Sequence, residues 1–117
     1  MNESEFLRAA VSVLDRIEVA VDGAAEAGGI DIDIERKSEG VLALEFENGS
    51  HIIVNLQAPM QQIWIAAKAG GYHFALRDRP GRDAAQWIDT RSGEDFFDVL
   101  SAHATLQSGT ALALTPD

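Results

Sequence analysis

Apolar and polar residues alternate in successive runs between residues 30 and 76, and this period of two constrains the fold more than any other feature. Alternation of this kind is typical of β-strands with one buried face. Asn48-Gly49 separates two runs and strongly indicates a two-residue hairpin turn. Gly70-Gly71 indicates another turn, and the polar residues 78–85 indicate a loop. The predicted strands cover about residues 30–35, 41–47, 51–57, 62–66, 72–76 and 86–90.

A helix is predicted before the strands, over about residues 3–22. Asn2 with Glu5 three residues later resembles a capping box. Gly23 and the Ala/Gly-rich stretch to Gly29 are expected to end the helix. The apolar residues at helical spacing are Phe6, Ala10, Val13, Leu14, Ile17 and Val21.

A second helix is predicted after the strands, over about residues 93–108, with Ser92 as its cap and Gly109 as its stop. The chain order is then helix, five or six strands, helix. This order predicts an α+β two-layer sandwich with two helices packed on one face of a six-stranded antiparallel sheet, within a range of five to seven strands. The 117 residues fit a single domain over 1–117.

The composition excludes several classes of protein. The chain has no cysteine, which excludes disulfides, thiolate catalysis and cysteine ligation of zinc or of an iron–sulfur cluster. No apolar run approaches the roughly 18 residues needed to span a membrane. The acidic first residues, Met1 to Glu5, lack the basic segment of a secretory signal. A cytoplasmic protein is therefore expected.

The net charge of −10 disfavours nucleic acid and anionic membranes as partners and favours cations or a basic protein surface. A merely solvated acidic surface is the alternative. The charge is unevenly distributed. Residues 1–47 hold twelve carboxylates and four basic residues, whereas residues 48–77 hold no carboxylate and two basic residues. The sequence therefore predicts an acidic region separate from an uncharged one.

Carboxylates on the first helix and first strand form the first candidate site. Asp15, Glu18 and Asp22 share a helical face, and Asp31 and Asp33 share a strand face with Glu35. Open rows of carboxylates suit weak binding of hard cations such as iron, calcium or magnesium. Two alternatives stay open. The helix acids can be an ordinary solvated face, and acids on a first strand can protect a sheet edge from aggregation.

Trp64 is the second candidate site. Alternation places Ile63 and Ile65 in the core and Trp64 on the opposite face, with Asn55 and Gln57 outward on the neighbouring strand. A tryptophan on an open sheet face resembles an interface anchor, and a tryptophan half-covered by neighbours is the alternative. The three histidines are isolated in sequence, so structural or surface roles are expected for them: His51, His73 and His103. No nucleophile elbow, phosphate-binding loop or dinucleotide fingerprint is present.

The run Phe46–Phe74, FENGSHIIVNLQAPMQQIWIAAKAGGYHF, resembles the central block of the bacterial frataxins, the CyaY family. Within it, the pattern Asn-x-Gln-x-Pro-x-x-Gln-Ile-Trp is specific. Met1–Phe6, Asp31–Asp33 and Asp89–Phe97 also match. The resemblance covers nearly the whole chain in the right order.

The resemblance implies a non-enzymatic function. Frataxins bind iron weakly, contact the cysteine desulfurase through an acidic face, contact the iron–sulfur scaffold protein through the sheet, and modulate cluster assembly, often as a brake. A monomer is implied, with self-association on iron loading as an alternative. A ferroxidase or metal-dependent hydrolase, and an acidic interaction domain without a metal role, remain the alternative functions. Carried over by position, the metal residues are Glu3, Glu18, Asp22, Asp31 and Asp33. The partner-binding residues of the sheet are Asn55, Gln57 and Trp64.

The chain departs from the family pattern at several positions. Many bacterial members carry histidine or an acid where this chain has apolar residues or glycine, namely at Leu7, Val11, Val19 and Gly23. Of the usually acid-rich loop after the first helix, only Glu26 remains. The iron site is therefore expected to be weaker or to hold fewer ions. Many relatives have a basic residue in place of Leu56, which is expected to weaken a scaffold contact. The loop 78–85 is longer than is usual in the family.

Overall fold

The computed structural model describes residues 1–38, 40–78 and 85–116. These residues form two α-helices and six strands in the order helix, six strands, helix, as predicted, with one short 3-10 helix, Ala58–Met60, between the third and fourth strands. The helices are α1 Glu3–Gly28 and α2 Phe96–Ser108. The strands are β1 Ile32–Ser38, β2 Val41–Phe46, β3 His51–Gln57, β4 Gln62–Ala67, β5 Gly70–Arg77 and β6 Gln86–Asp89. No helix in this described part is long and apolar enough to cross a membrane.

Helix α1 begins at the predicted capping box but runs further than predicted. The Asn2 side chain accepts the Glu5 N–H at 2.8 Å, and the Glu5 carboxylate accepts the Asn2 N–H at 3.0 Å. The predicted end at Gly23 is wrong, because the helix continues to Gly28 and ends at Gly29, where φ is 66°. A glycine inside a helix costs only about 1 kcal/mol, and burial of Ala25 two residues later offsets that cost.

The sheet is an antiparallel meander in which each strand pairs with the next in sequence, so β1 and β6 form its two edges. Two predicted turns differ in detail. Glycines 70 and 71 are the first residues of β5, and the turn lies at Lys68 and Ala69. The β2–β3 connection is a three-residue loop between Phe46 and Ser50, because Gly49 adopts φ 84° and donates its N–H to the Phe46 carbonyl.

The predicted cap of α2 is also wrong. Asp95, not Ser92, caps the helix, and its carboxylate accepts the N–H groups of Phe97 and Asp98 at 3.0 and 3.4 Å. An isolated β-bridge between Ile88 and Asp95 holds the preceding segment extended, so the helix cannot begin earlier. The predicted loop 78–85 lies outside the described residues except for its two ends.

Both helices cover the same face of the sheet, and the core lies between the two layers. The largest fully buried side chains come from both layers: Phe6, Leu14, Ile17, Leu42, Leu44, Ile52, Ile63, Ile65, Phe74, Phe96 and Leu100. The C-terminal segment completes this core through Leu112 and Leu114, which are 6% and 3% exposed. No helix of the described residues lies on the other face of the sheet, and we call it the open face.

Candidate functional site

The five carboxylates expected to bind metal belong to a larger group on α1, on β1 and between them, which we call the acidic surface. Its members are Glu3, Glu5, Asp15, Glu18, Asp22, Glu26, Asp31, Asp33 and Glu35. All are exposed except Glu18, which is half-buried. The fold exposes them because α1 buries its opposite, apolar side, and because β1 lies at the edge of the sheet.

The structure does not bring all five expected metal residues together. Glu3 is the first residue of α1, and Asp22 follows 19 residues later, about 28 Å along the helix axis at 1.5 Å per residue. These two carboxylates therefore cannot share one ion. Glu18 and Asp22, in contrast, are one helical turn apart and lie on neighbouring positions of the same helix face.

Arg36 neutralises part of the acidic surface. From β1, its guanidinium reaches α1, where Nη2 lies 2.5 Å from Asp15 Oδ1 and Nε lies 2.7 Å from Glu18 Oε2. Partial burial disfavours the charged guanidinium, but the two carboxylates outweigh this and raise the pKa of Arg36 above its already high ordinary value. A group with a raised pKa in the folded protein contributes its full stabilisation at any pH below its pKa in the unfolded chain. For Arg36 that pKa is far above neutral pH, so the ion pairs with Asp15 and Glu18 contribute throughout the neutral range.

The sequence analysis counted Arg36 only as one of the four basic residues between positions 1 and 47. Its position in β1 carried a usable signal, because Arg36 has the same parity as Ile32 and Ile34, which pack against the core. An arginine on the helix-facing side of an amphipathic strand indicates a carboxylate partner on that helix.

The acids of β1 project from the other face of the strand. Asp33 alternates with the inward Ile32 and Ile34, and it pairs directly with Glu45 on β2. Glu45 in turn pairs with His51 on β3, whose Nε2 lies 3.2 Å from the Glu45 carboxylate. The first-strand acids therefore lie on the open face, on the opposite side of the sheet from α1.

Asp31 lies just before β1, beside another carboxylate that the sequence analysis did not single out. Its N–H donates to Glu47 Oε1 at 2.8 Å, across the start of the β2–β3 connection. Both residues line a shallow depression with Ile30 and Asn48. This places two carboxylate side chains at one end of the sheet, next to the C-terminal end of α1.

No three histidine, aspartate or glutamate side chains among the described residues are grouped so that they could hold one metal ion. What the described acidic surface offers is pairs of exposed carboxylates. Hard oxygen ligands in open pairs suit weakly held cations and do not form the closed cage of a resident metal.

The predicted partner residues of the sheet lie together on the open face. Asn55 pairs directly with Trp64, and Trp64 pairs directly with His73. The Trp64 indole N–H donates to Gln62 Oε1 at 2.8 Å, and the indole stacks on the His73 ring. Gln57 pairs with Gln62 at the adjacent register position. The patch is thus an aromatic pair bordered by amides.

Charge varies across the open face. Asp33, Glu35 and Glu45 lie on β1 and β2, at the acidic end. No residue from 48 to 67, which includes β3 and β4, is a lysine, arginine, aspartate or glutamate. Leu56 lies on the opposite side of β3, packed toward the core. It therefore does not contribute its side chain to the open face, whatever residue relatives carry there.

A family model described as a frataxin-like domain matches residues 1–110 of this chain. The chain belongs to the frataxin-like family. Its similarity to curated relatives extends over nearly the full length. It is 51% identical over 114 residues to a protein of Cupriavidus pinatubonensis named iron-sulfur cluster assembly protein CyaY, covering 97% of this chain and 96% of the relative. A protein of the same name from Burkholderia mallei is 49% identical over 115 residues, covering 98% and 99%.

Solved structures confirm the fold of this frataxin-like chain. The frataxin of Psychromonas ingrahamii superposes with a TM-score of 0.73 at 34% identity, covering 98% of this chain and 99% of that one. Trimeric frataxin of Saccharomyces cerevisiae, described as complexed with ferrous iron, has a TM-score of 0.65 at 27% identity, covering 86% and 85%. Both the family resemblance of Phe46–Phe74 and the predicted α+β sandwich are confirmed.

Proposed function

We propose that this chain is a non-enzymatic, iron-binding adaptor and regulator of iron–sulfur cluster assembly, which binds cysteine desulfurase through the acidic surface and the scaffold protein through the open face. The observation that carries the proposal is the family match over residues 1–110, combined with relatives named for iron–sulfur cluster assembly. The separation of the acidic side of α1 from the uncharged strands β3 and β4, which carry Trp64 on the open face, supports two binding surfaces.

Iron is the cargo in this proposal and is held weakly. The yeast relative is described as complexed with ferrous iron. In this chain the proposed ligands are Glu3, Glu18, Asp22, Asp31 and Asp33. Their placement supports separate one- or two-carboxylate sites, because Glu3 lies about 28 Å from Asp22 along α1 and Asp33 lies on the other face of the sheet. Each such site binds a hard cation weakly and exchanges it readily.

The acidic surface is the proposed docking surface for the desulfurase. Exposed carboxylates attract a basic partner surface over about a Debye length, which is close to 10 Å at 0.1 M salt. Rim charges of this kind mainly increase the association rate, and their effect decreases with salt. The interaction is therefore strongest at low ionic strength.

The open face around Trp64 is the proposed contact for the scaffold. Asn55 and Gln57 supply amide groups beside the indole, and Trp64 supplies a large apolar surface. Tryptophan is enriched among interface residues whose truncation costs 2 kcal/mol or more. The acidic end of the same face, at Asp33 and Glu45, orients a partner whose basic residues lie on the matching side.

A cluster-assembly assay with purified desulfurase and scaffold tests the proposal, with and without this protein across a range of ferrous iron concentrations. We expect an iron-dependent change in the assembly rate. An unchanged rate at every iron concentration would contradict the regulatory function. Catalytic turnover of ferrous iron by the isolated protein would contradict its non-enzymatic nature and favour the ferroxidase alternative.

Charge-reversal variants test the acidic surface in a binding assay with the desulfurase alone. Asp22→Lys combined with Asp33→Lys is expected to weaken desulfurase binding at least tenfold at low salt. The matched control, Glu94→Lys combined with Asp98→Lys, makes the same charge change at two exposed positions next to the start of α2. Equal affinity losses in both double variants would indicate net charge alone and not a specific docking surface.

The proposal also includes a cytoplasmic location and a monomeric state without iron, as the family resemblance implies. The yeast relative is trimeric in its ferrous complex. Sedimentation velocity with and without ferrous iron tests the oligomeric state. A single species of monomer mass is expected in the absence of iron.

A further inference from the structure

Arg36 occupies an unusual place for a strand residue. It follows Ile32 and Ile34 on the helix-facing side of β1, the edge strand, and its guanidinium contacts α1. Its guanidinium bridges two carboxylates that are three residues apart on one helix face, at 2.5 Å from Asp15 and 2.7 Å from Glu18. The side chain remains 35% exposed, so the bridge lies at the surface, within the acidic surface itself.

We propose that Arg36 is a built-in counter-ion that closes the Asp15–Glu18 pair to divalent cations and so determines which carboxylates of the acidic surface take up iron. This inference rests on the proposed binding of iron and narrows it at one position: of the five proposed ligands, Glu18 is blocked as long as Arg36 is paired with it. Iron is directed away from the middle of α1 and toward its C-terminal half.

The geometry of the bridge supports exclusion. The guanidinium nitrogens lie at hydrogen-bonding distance from one oxygen of each carboxylate, on the side where a cation shared by the pair would sit. A divalent ion would have to displace this pairing or approach a fixed positive charge. An arginine guanidinium is always charged at neutral pH, so this positive charge is permanent.

The neighbouring carboxylates are different. Asp22 and Glu26 lie one and two turns after Glu18 on α1, and both are exposed. Neither carboxylate side chain makes a hydrogen bond or an ion pair with a residue in the described part of the chain. Oxygens at these positions are open to a cation, whereas those of Asp15 and Glu18 already have a cationic partner.

A matched pair of variants tests the inference on the isolated full chain. Arg36→Met removes the guanidinium, and Lys37→Met makes the same change of net charge at the adjacent, exposed residue of β1. Manganese(II), a paramagnetic hard cation, is titrated into each ¹⁵N-labelled protein. In the wild type, amide broadening is expected near residues 22–26. In Arg36→Met, broadening at residues 15–18 is expected at a manganese concentration at least threefold lower than in Lys37→Met.

Equal broadening of residues 15–18 in the two variants, or none in either, would overturn the inference. Addition of Asp15→Asn to Arg36→Met should abolish the gained broadening if the carboxylate pair is the site. Arg36→Gln serves as a second test should Arg36→Met fail to fold. A wild type that binds no ion while Arg36→Met does would contradict cation binding by the native protein and the expected site at residues 22–26, whereas the closing of the Asp15–Glu18 pair by Arg36 would be supported.

Discussion

The indole of Trp64 stacks on the imidazole of His73, with ring centroids 4.1 Å apart and ring planes 10° from parallel. The two residues are direct cross-strand partners on β4 and β5, so the sheet register creates the contact. Together with the hydrogen bond to Gln62, the stack holds the indole in one orientation on the open face. An anchor that is ordered before binding loses less conformational entropy when a partner docks.

Trp64→Ala is therefore expected to weaken binding to the scaffold protein by about 2 kcal/mol, which is roughly thirtyfold in Kd. The fold should be retained, because Trp64 projects away from the core between the two layers. Isothermal titration calorimetry gives the affinity, and circular dichroism checks the fold. A native-like Trp64→Ala protein with unchanged Kd would contradict the role of the open face. His73→Ala, which leaves the indole but removes the stack, should cause a smaller loss.

Replacement of Gly23, inside α1, and of Gly29, at its C-cap, by alanine should change the free energy of unfolding in opposite directions. Gly23 lies inside the helix with nothing within 4 Å of an added Cβ, so Gly23→Ala is expected to stabilise the protein by about 0.5–1 kcal/mol. Gly29 has φ +66°, where a Cβ is strained, so Gly29→Ala is expected to destabilise it by about 1 kcal/mol. Urea unfolding measures both changes. Destabilisation by Gly23→Ala would indicate that α1 ends before residue 23.

Substitutions at the start of α2 distinguish Asp95, the cap in the structure, from Ser92, the cap that the sequence predicted. Asp95→Ala removes the carboxylate that accepts two N–H groups of the first turn, and a loss of about 1 kcal/mol is expected. Ser92→Ala removes only an acceptor for the Glu94 N–H before the helix, so a smaller loss is expected. Thermal unfolding of the two variants side by side checks the order. The reverse order would mean that Ser92 is the true cap.

The C-terminal segment is hydrogen-bonded to hydroxyl groups of α2, namely those of Ser101, Thr105 and Ser108. Thr105 Oγ1 donates to the Leu112 carbonyl at 3.2 Å and accepts the Leu112 N–H at 3.0 Å. Thr105→Val keeps the side-chain shape but leaves both backbone groups without this partner, so a loss of about 1–3 kcal/mol is expected. Hydrogen exchange at the Leu112 amide should accelerate as well. Thr90→Val, at an exposed position, is the control and should change neither quantity.

The strands were the most predictable part of the fold. Their side chains alternate with a period of two, and burial of Leu42, Leu44, Ile52 and Val54 on one face follows directly from that period. Helix α1 was predictable in place but not in length. Glycine at position 23 is only a weak helix breaker, and burial of Ala25 against the core decided that the helix continues.

The residues of the candidate sites could be identified from the sequence, but the contacts between them could not. Outward parity placed Trp64 on the open face correctly, yet the stack with His73 depends on the register between β4 and β5. The same is true of the acidic surface. Its carboxylates were visible as a charge pattern, but the pattern could not show that Asp33 and Asp22 lie on opposite sides of the sheet.

The sequence alone determined the order of helices and strands, the family resemblance, and the separation of an acidic region from an uncharged one, because these depend on local periodicity and composition. The tertiary structure alone decided which charges meet. Arg36 is 21 residues from Asp15 in sequence but lies 2.5 Å away in space. The tertiary structure also decided that Trp64 stacks on His73, because the two residues are neighbours only through the pairing of β4 with β5. Long-range contacts of this kind depend on how the layers pack, and packing is a property of the whole chain.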